Sequence, residues 1–263
     1  YQRRVREDRY ARQSKLKEMT EPRAAAIRDA CIVVIGAGGV GSSCLEFLAG
    51  SGIRQLVICD FDDVSLTNLH RQVIHSENQL INKAESAIQR LKQLNSEVTY
   101  QKVTQKLTPE NINSLQTFAP NVVIDASDNP ECRFLVADFC FGAKIPHVFA
   151  SGVRFSFTMS SFNLTKLQPC FRCVFAKMPP QQLRQTAFTD GVMGPAVGMA
   201  GCAAALEAIK IVMYYKKEQV YEGEEKEEVE KKCLCGKLMW FNGLEWEHRM
   251  MKIAKKKTCV CSE

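Results

Sequence analysis

The stretch Val34–Leu48, VIGAGGVGSSCLEFL, carries Gly36, Gly38 and Gly41 at G-x-G-x-x-G spacing, with a further glycine at Gly39. Before it, residues 31–35 (CIVVI) form a short apolar, β-branched run, which predicts a buried strand of a parallel sheet. After it, Val40, Cys44 and Leu48 recur at helical spacing. Strand, glycine turn and helix in that order make a loop that holds phosphates. One glycine turns the chain, one lets the backbone approach the ligand, and one permits close helix packing. The helix start adds free N–H groups and the positive end of its dipole. The motif alone does not separate a nicotinamide dinucleotide from ATP.

Reading outward, LVICDFD from Leu56 is a second strand ending in acids. Asp60 lies 19 residues past Gly41, where a carboxylate accepts hydrogen bonds from ribose hydroxyls. Ala84, Ala87, Ile88, Leu91 and Leu94 mark one face of a helix that follows Asn82. VVIDASDN from Val122 and HVFA from His147 read as the third and fourth core strands. Strands that alternate with helices predict right-handed crossovers and a parallel sheet. After residue 150 the pattern changes. RFSFTMSSF alternates Phe155, Phe157 and Met159 as an antiparallel strand does, and KLMWF and EHRMMKI supply late strands. The expected fold is a doubly wound α/β, mostly parallel sheet with a C-terminal antiparallel portion. Within it, the charged run at 216–232, extended to 236, reads as a solvated insertion.

The 263 residues and the 46% apolar content suit one large α/β domain. The net charge of +6 is not gathered into basic and aromatic blocks, so nucleic acid is not the expected partner, whereas acidic ligands are. The apolar run from Gly194 is interrupted by Glu207 and Lys210 and is rich in Gly and Ala, which predicts a core helix and no membrane span. The charged N-terminal stretch has no apolar core of a signal peptide. Twelve cysteines without a secretory signal predict reduced thiols and a cytoplasmic location. Cys31, Cys44, Cys59, Cys140 and Cys202 lie in apolar runs and read as small core residues.

The next stretch, DFDDVSLTNLHRQVIHSENQLINK, separates the two ligands. It places Asp62, Asn68, Arg71, Gln72 and Lys83 close behind the ribose acid. A dinucleotide's pyrophosphate is held by helix N–H groups alone, while added Arg and Lys suit the greater charge of a triphosphate. Asp128, with Asn129 beside it, sits just past a strand's carboxyl end, where it could hold Mg²⁺ bridging phosphate oxygens. Local roles compete: Asn68 could cap a turn, and Arg71 could pair with Asp62 or Asp63.

RYARQ near the N-terminus, GAGGVG, DFDDVSLTNLHRQ, KAESA, DASDN, PCFRC and GVMGP stand in one order along the chain. In these motifs the sequence resembles the ThiF/MoeB branch of the ubiquitin-activating-like adenylyltransferases, from Arg9 to the last cysteines. The resemblance implies a Rossmann-like fold and a homodimer with one ATP site per protomer. It also implies a ubiquitin-like sulfur-carrier substrate ending in Gly-Gly, whose C-terminus becomes an acyl-adenylate. It implies contacts to ATP or its Mg²⁺ from Gly39, Asp60, Asn68, Arg71, Lys83 and Asp128. Residues 1–30 would form a helical arm whose Arg12 reaches the partner protomer's site, and 31–263 the adenylation domain. Arg12, Arg71, Lys83 and Asp128 are thus the candidate catalytic residues.

Two features depart from that pattern. Many members carry a cysteine before the G-V-x-G-P motif, where this chain has Ala187. A chain that only adenylates is then expected, or one in which Ala187 replaces a cysteine. No rhodanese segment is visible, which implies a separate sulfur donor. Cys170 and Cys173 form C-x-x-C, half of a tetrahedral zinc site. The family's other half corresponds to Cys259 and Cys261, here a tighter C-x-C, with Cys233 and Cys235 as a rival pair. Adenylation of a modified tRNA base, a silent partner subunit and a nicotinamide dehydrogenase remain alternative functions at this point.

Overall fold

The computed structural model describes residues 9–262 apart from 79, 166–167, 185 and 216–222. Its eight strands form a sheet in the order β3-β2-β1-β4-β5-β6-β7-β8. The first five are β1 (Cys31–Ile35), β2 (Gln55–Cys59), β3 (Thr99–Val103), β4 (Val122–Asp125) and β5 (His147–Val153). They run parallel. Antiparallel pairing then adds β6 (Ser156–Phe162), β7 (Lys237–Asn242) and β8 (Glu247–Lys252). The sheet is Rossmann-like and doubly wound, with strand order reversing between β1 and β4.

Every residue of β1 is buried, because helices cover both faces of the sheet. Its side chains alternate between two cores. Ile32 and Val34 join the larger one, with α1 (Glu21–Asp29), α2 (Gly39–Ser51), α3 (Lys83–Leu94) and α7 (Gly194–Tyr214). Cys31, Val33 and Ile35 join the other, with α4 (Pro130–Gly142) and the 3₁₀ segment Ile112–Phe118. Asn82 starts α3 by accepting hydrogen bonds from the N–H groups of Ala84 and Glu85, and Asn129 starts α4 by accepting from Cys132. The small residues of α7 let it lie directly on α2. A Cβ added at Gly201 would meet the Val40 carbonyl oxygen at 2.1 Å. α7 is a core helix, as its charges and small residues predict.

Two expectations are corrected, and one strand was missed. The charged segment is not simply solvated. Within it, Gly223–Lys232 forms a helix, α8, and Val229, Cys233 and Cys235 are buried. The fastening comes from Glu207 on α7, itself buried, which accepts from the Leu234 N–H at 2.6 Å and the Ser161 hydroxyl at 2.7 Å and pairs with Lys210. The N-terminal part of the run, 216–222, lies outside the described residues. Cys202 is exposed, not a core residue, because it faces away from the sheet on α7, while Cys31, Cys44, Cys59 and Cys140 are buried. The edge strand β3, too polar to show an apolar pattern, had no counterpart in the sequence reading.

Candidate functional site

A cavity of about 690 Å³ opens at the carboxyl ends of β1, β2, β4 and β5, beside the point where strand order reverses. The glycine loop forms its floor. Gly36 has φ +96°, and an added Cβ would lie 2.8 Å from the Ala126 carbonyl oxygen. Gly41 does not line the cavity; a Cβ there would fall 2.0 Å from the Gly36 carbonyl oxygen, so this glycine lets α2 close on the loop. Gly36, Gly38 and Gly39 do line it. Gly38 caps α2 without a side chain, so the first-turn N–H groups are left for an anion.

Asp60 binds the loop to β2. Its carboxylate accepts from the Ala37 N–H at 2.8 Å and from the Asp62 N–H at 3.0 Å. Burial raises its pKa, opposed chiefly by the charge on Lys83. Lys83, almost wholly buried, has its Nζ 2.9 Å from the Asp62 carboxylate. Arg71 donates from Nη2 to the Asn68 side-chain oxygen at 2.8 Å. Burial lowers the Arg71 pKa and the charge of Asp128 raises it. Asn68 therefore orients Arg71 and does not itself line the cavity, and neither Asp62 nor Asp63 takes Arg71. Gln72 is buried at the cavity wall, and its Oε1 is enclosed with no hydrogen-bond partner among the described residues. Asp128 and Asn129 stand exposed at the rim. Arg12 is exposed and does not line the cavity.

Arg133 belongs to the site and was not singled out from the sequence. Its guanidinium donates to the Ser127 carbonyl oxygen at 2.8 Å and to the Ser151 hydroxyl at 2.7 Å, bracing the loop that presents Asp128. A lone arginine inside the apolar run PECRFLVADFC was the available signal. The loop 105–109 also borders the cavity, and so does Ala187. Together these groups can hold a polyanion: helix N–H groups, Lys83, Lys106, Arg71 and Arg133 line the same space, with the exposed Asp128 carboxylate available to a cation.

A second cluster lies elsewhere. The sulfurs of Cys170, Cys173, Cys259 and Cys261 all fall within 4.8 Å of one another, so the terminal pair completes the cluster and Cys233 and Cys235 do not. Cys170 and Cys259 are 3.5 Å apart, and Cys173 and Cys261 3.4 Å. Four thiolates at about 2.3 Å around one zinc would be about 3.8 Å apart, so the cluster fits a tetrahedral ion. The Lys256 N–H points at the Cys173 sulfur, 3.4 Å away, as hydrogen-bond donors around metal thiolates do.

The family model of the ThiF family matches residues 10–262. A protein of Anopheles gambiae named adenylyltransferase and sulfurtransferase MOCS3 is 36% identical over 259 residues, covering 97% of this chain and 55% of that protein. The chain thus spans about half the length of such relatives. The molybdopterin-synthase adenylyltransferase of Salmonella typhimurium is 30% identical over 257 residues, covering 97% of this chain and 96% of the relative. The fold is also that of E. coli MccB solved with ATP, with a TM-score of 0.78, 20% identity, and coverage of 97% of this chain and 75% of that one. Strand order, glycine loop and family match agree, and the chain belongs to the ThiF family.

Proposed function

We propose that the chain uses ATP to adenylate the C-terminal glycine of a ubiquitin-like sulfur-carrier protein. The observation that carries this reading is the cavity at the strand-order reversal, where Lys83, Arg71 and the start of α2 face Asp128 across one space. The names of the Salmonella and Anopheles relatives support the same activity. Asp128 is the carboxylate that would hold Mg²⁺, which would offset charge on the phosphates. The residues Gly36, Gly38 and Gly39 would hold the phosphates, Asp60 the ribose, and Gln72 and Asn129 further polar edges of the nucleotide. Opening of the Lys83–Asp62 pair would free the ammonium for phosphate, with Asp62 moving to the ligand's periphery.

The carrier's carboxylate attacks the α-phosphorus and pyrophosphate leaves. The nucleophile is already ionised, so no general base is needed. Lys83 and Arg71 offset the charge that grows on the phosphate oxygens, and Arg133 keeps the Asp128 loop still through Ser127. Arg12 supplies further positive charge from the partner protomer of a homodimer. An exposed apolar face supports that dimer: Phe47 of α2 and Leu206 of α7 are 59% and 58% exposed, beside Met199 and Cys202. Residues 1–30 would act as the arm and 31–263 as the catalytic body, with residues 1–8 and 263 of that division outside the described residues. Ala187 at the cavity offers no thiol, so this chain's step ends at the adenylate. Cys170, Cys173, Cys259 and Cys261 would hold Zn²⁺, which would serve stability rather than the adenylation chemistry. The cysteine-rich composition suits the cytoplasm.

The test is ATP–pyrophosphate exchange with purified sulfur carriers. Exchange that needs a carrier's free C-terminal glycine is expected, with loss on the order of 10³-fold in Arg12→Ala. Exchange without any carrier, or none with any, would refute the reading.

A further inference from the structure

In the run Arg9–Gln13, three side chains are tied to the ends of α2 and α3. Arg9 donates to the Leu94 carbonyl oxygen at 2.7 Å, and Gln13 to that of Ser51 at 3.2 Å. The Tyr10 hydroxyl accepts from the Asn95 side-chain amide at 2.8 Å, and the same amide nitrogen donates to the Ala49 carbonyl oxygen at 2.7 Å. Asn95 is wholly buried, and its own carbonyl accepts from the Tyr100 hydroxyl at 2.8 Å. The Tyr10 ring lies on Gly52, which ends α2 with φ +81°. A Cβ at Gly52 would fall 2.5 Å from the ring, so any other residue would close the seat as well as strain the backbone. Tethering a surface segment requires no buried amide and no obligatory glycine. These features fix an orientation. Arg12 is the exception in the run: it is exposed and makes no side-chain hydrogen bond or ion pair among the described residues. Gln13, the next residue, borders the groove that Phe47, Cys202 and Leu206 form on the exposed apolar face.

We propose that Tyr10, Asn95 and Gly52 form a positioning socket for Arg12, setting where the arm leaves the body and so the reach of Arg12 across the dimer. The inference rests on the reading of Arg12 as a group that acts in the partner's cavity. Tyr10 touches neither nucleotide nor carrier; it acts through Arg12.

The test uses Tyr10→Ala in the full chain. ATP–Mg²⁺ affinity by calorimetry and dimer mass by light scattering should stay at wild-type values, while exchange at saturating ATP falls at least 10-fold. Tyr10→Phe keeps the ring and should recover most of the rate. Equal mixing of Tyr10→Ala with Asp128→Ala, after subunit exchange, makes half the dimers mixed. Each mixed dimer holds one site with a sound cavity and a sound arm from opposite protomers, so about a quarter of wild-type activity should return. Wild-type exchange in Tyr10→Ala, loss of the dimer, or no recovery on mixing would each overturn the socket. If Arg12→Ala itself is fully active, the reading of Arg12 fails, and the socket falls with it for a reason that the Tyr10 variants would not reveal.

Discussion

Val197 sits between two glycines of the cavity wall, and replacing one of them tests how the loop is packed. A Cβ at Gly39 would lie 2.7 Å from the Val197 Cγ2 and 3.3 Å from its Cβ. Carbon atoms rest at about 3.5–4.0 Å, so Gly39→Ala intrudes by about 1 Å. Val197 is buried, and its Cγ1 occupies the space that a Cβ at Gly152 would need, at 2.7 Å. The valine is therefore clasped and cannot give way easily. Overpacking of this kind costs about 1–3 kcal/mol, less about 0.5–1 kcal/mol that alanine gains over glycine in a helix. The net loss expected for Gly39→Ala is about 0–2.5 kcal/mol. Val197→Ala alone removes two buried methyl-sized groups, at about 0.8 kcal/mol each before any cavity cost. In the double variant the new methyl enters the vacated space, so its loss should fall short of the sum by at least about 1 kcal/mol. Urea unfolding of the four proteins measures this cycle, and ATP calorimetry on the same proteins should show the weakest binding in Gly39→Ala. Additivity within about 0.5 kcal/mol would refute the packing argument.

His147 is wholly buried between Phe162 and Phe171, and burial pushes its pKa down to about 3 from 6.5. The unfolded chain therefore takes up the proton first as pH falls, and stability should drop from about pH 6.5 toward 3 by up to about 1.4 kcal/mol per unit. Asp60 and Asp125, whose pKa values burial raises, act with the opposite sign in both proteins compared. His147→Phe should flatten the curve relative to wild type, and parallel curves would count against the assignment. One zinc per chain is expected on elemental analysis, lost with a lower Tm in Cys259→Ser and kept in Cys233→Ser; the reverse result would move the site to the charged segment. Asp128→Ala should abolish exchange while its urea midpoint stays near wild type, because the carboxylate is exposed and accepts no hydrogen bond among the described residues. A collapse of stability would make Asp128 a structural residue.

The parallel half of the fold was legible because each strand is a short apolar run buried on both faces, and the glycine loop marks where the first one ends. β3 was not, since an edge strand with exposed Thr99, Gln101 and Lys102 has no periodicity to read. The helix at Gly223–Lys232 hid in a charge run because one buried valine, Val229, and a carboxylate distant in sequence, Glu207, hold its end. In the site, most residues that line the cavity were visible as motif residues. Arg133 and Ser151 were not, because their role depends on a contact between α4 and β5 that no local pattern encodes. The hydrogen bond from Arg71 to Asn68 is a detail of orientation that spacing does not carry. Cys202 shows the same limit: its run is apolar, but only the packing of α7 decides which face is covered.

The central claim is that the cavity binds ATP for attack by a protein carboxylate. Exchange of labelled pyrophosphate into ATP measures that step directly, since label enters only when the adenylate forms and reverts. With a ubiquitin-like carrier ending in Gly-Gly, the account predicts exchange that vanishes when the terminal glycine is removed from the carrier and when Asp128→Ala replaces the enzyme. No exchange with any carrier, together with tight NAD binding and no ATP binding in the same preparation, would contradict it.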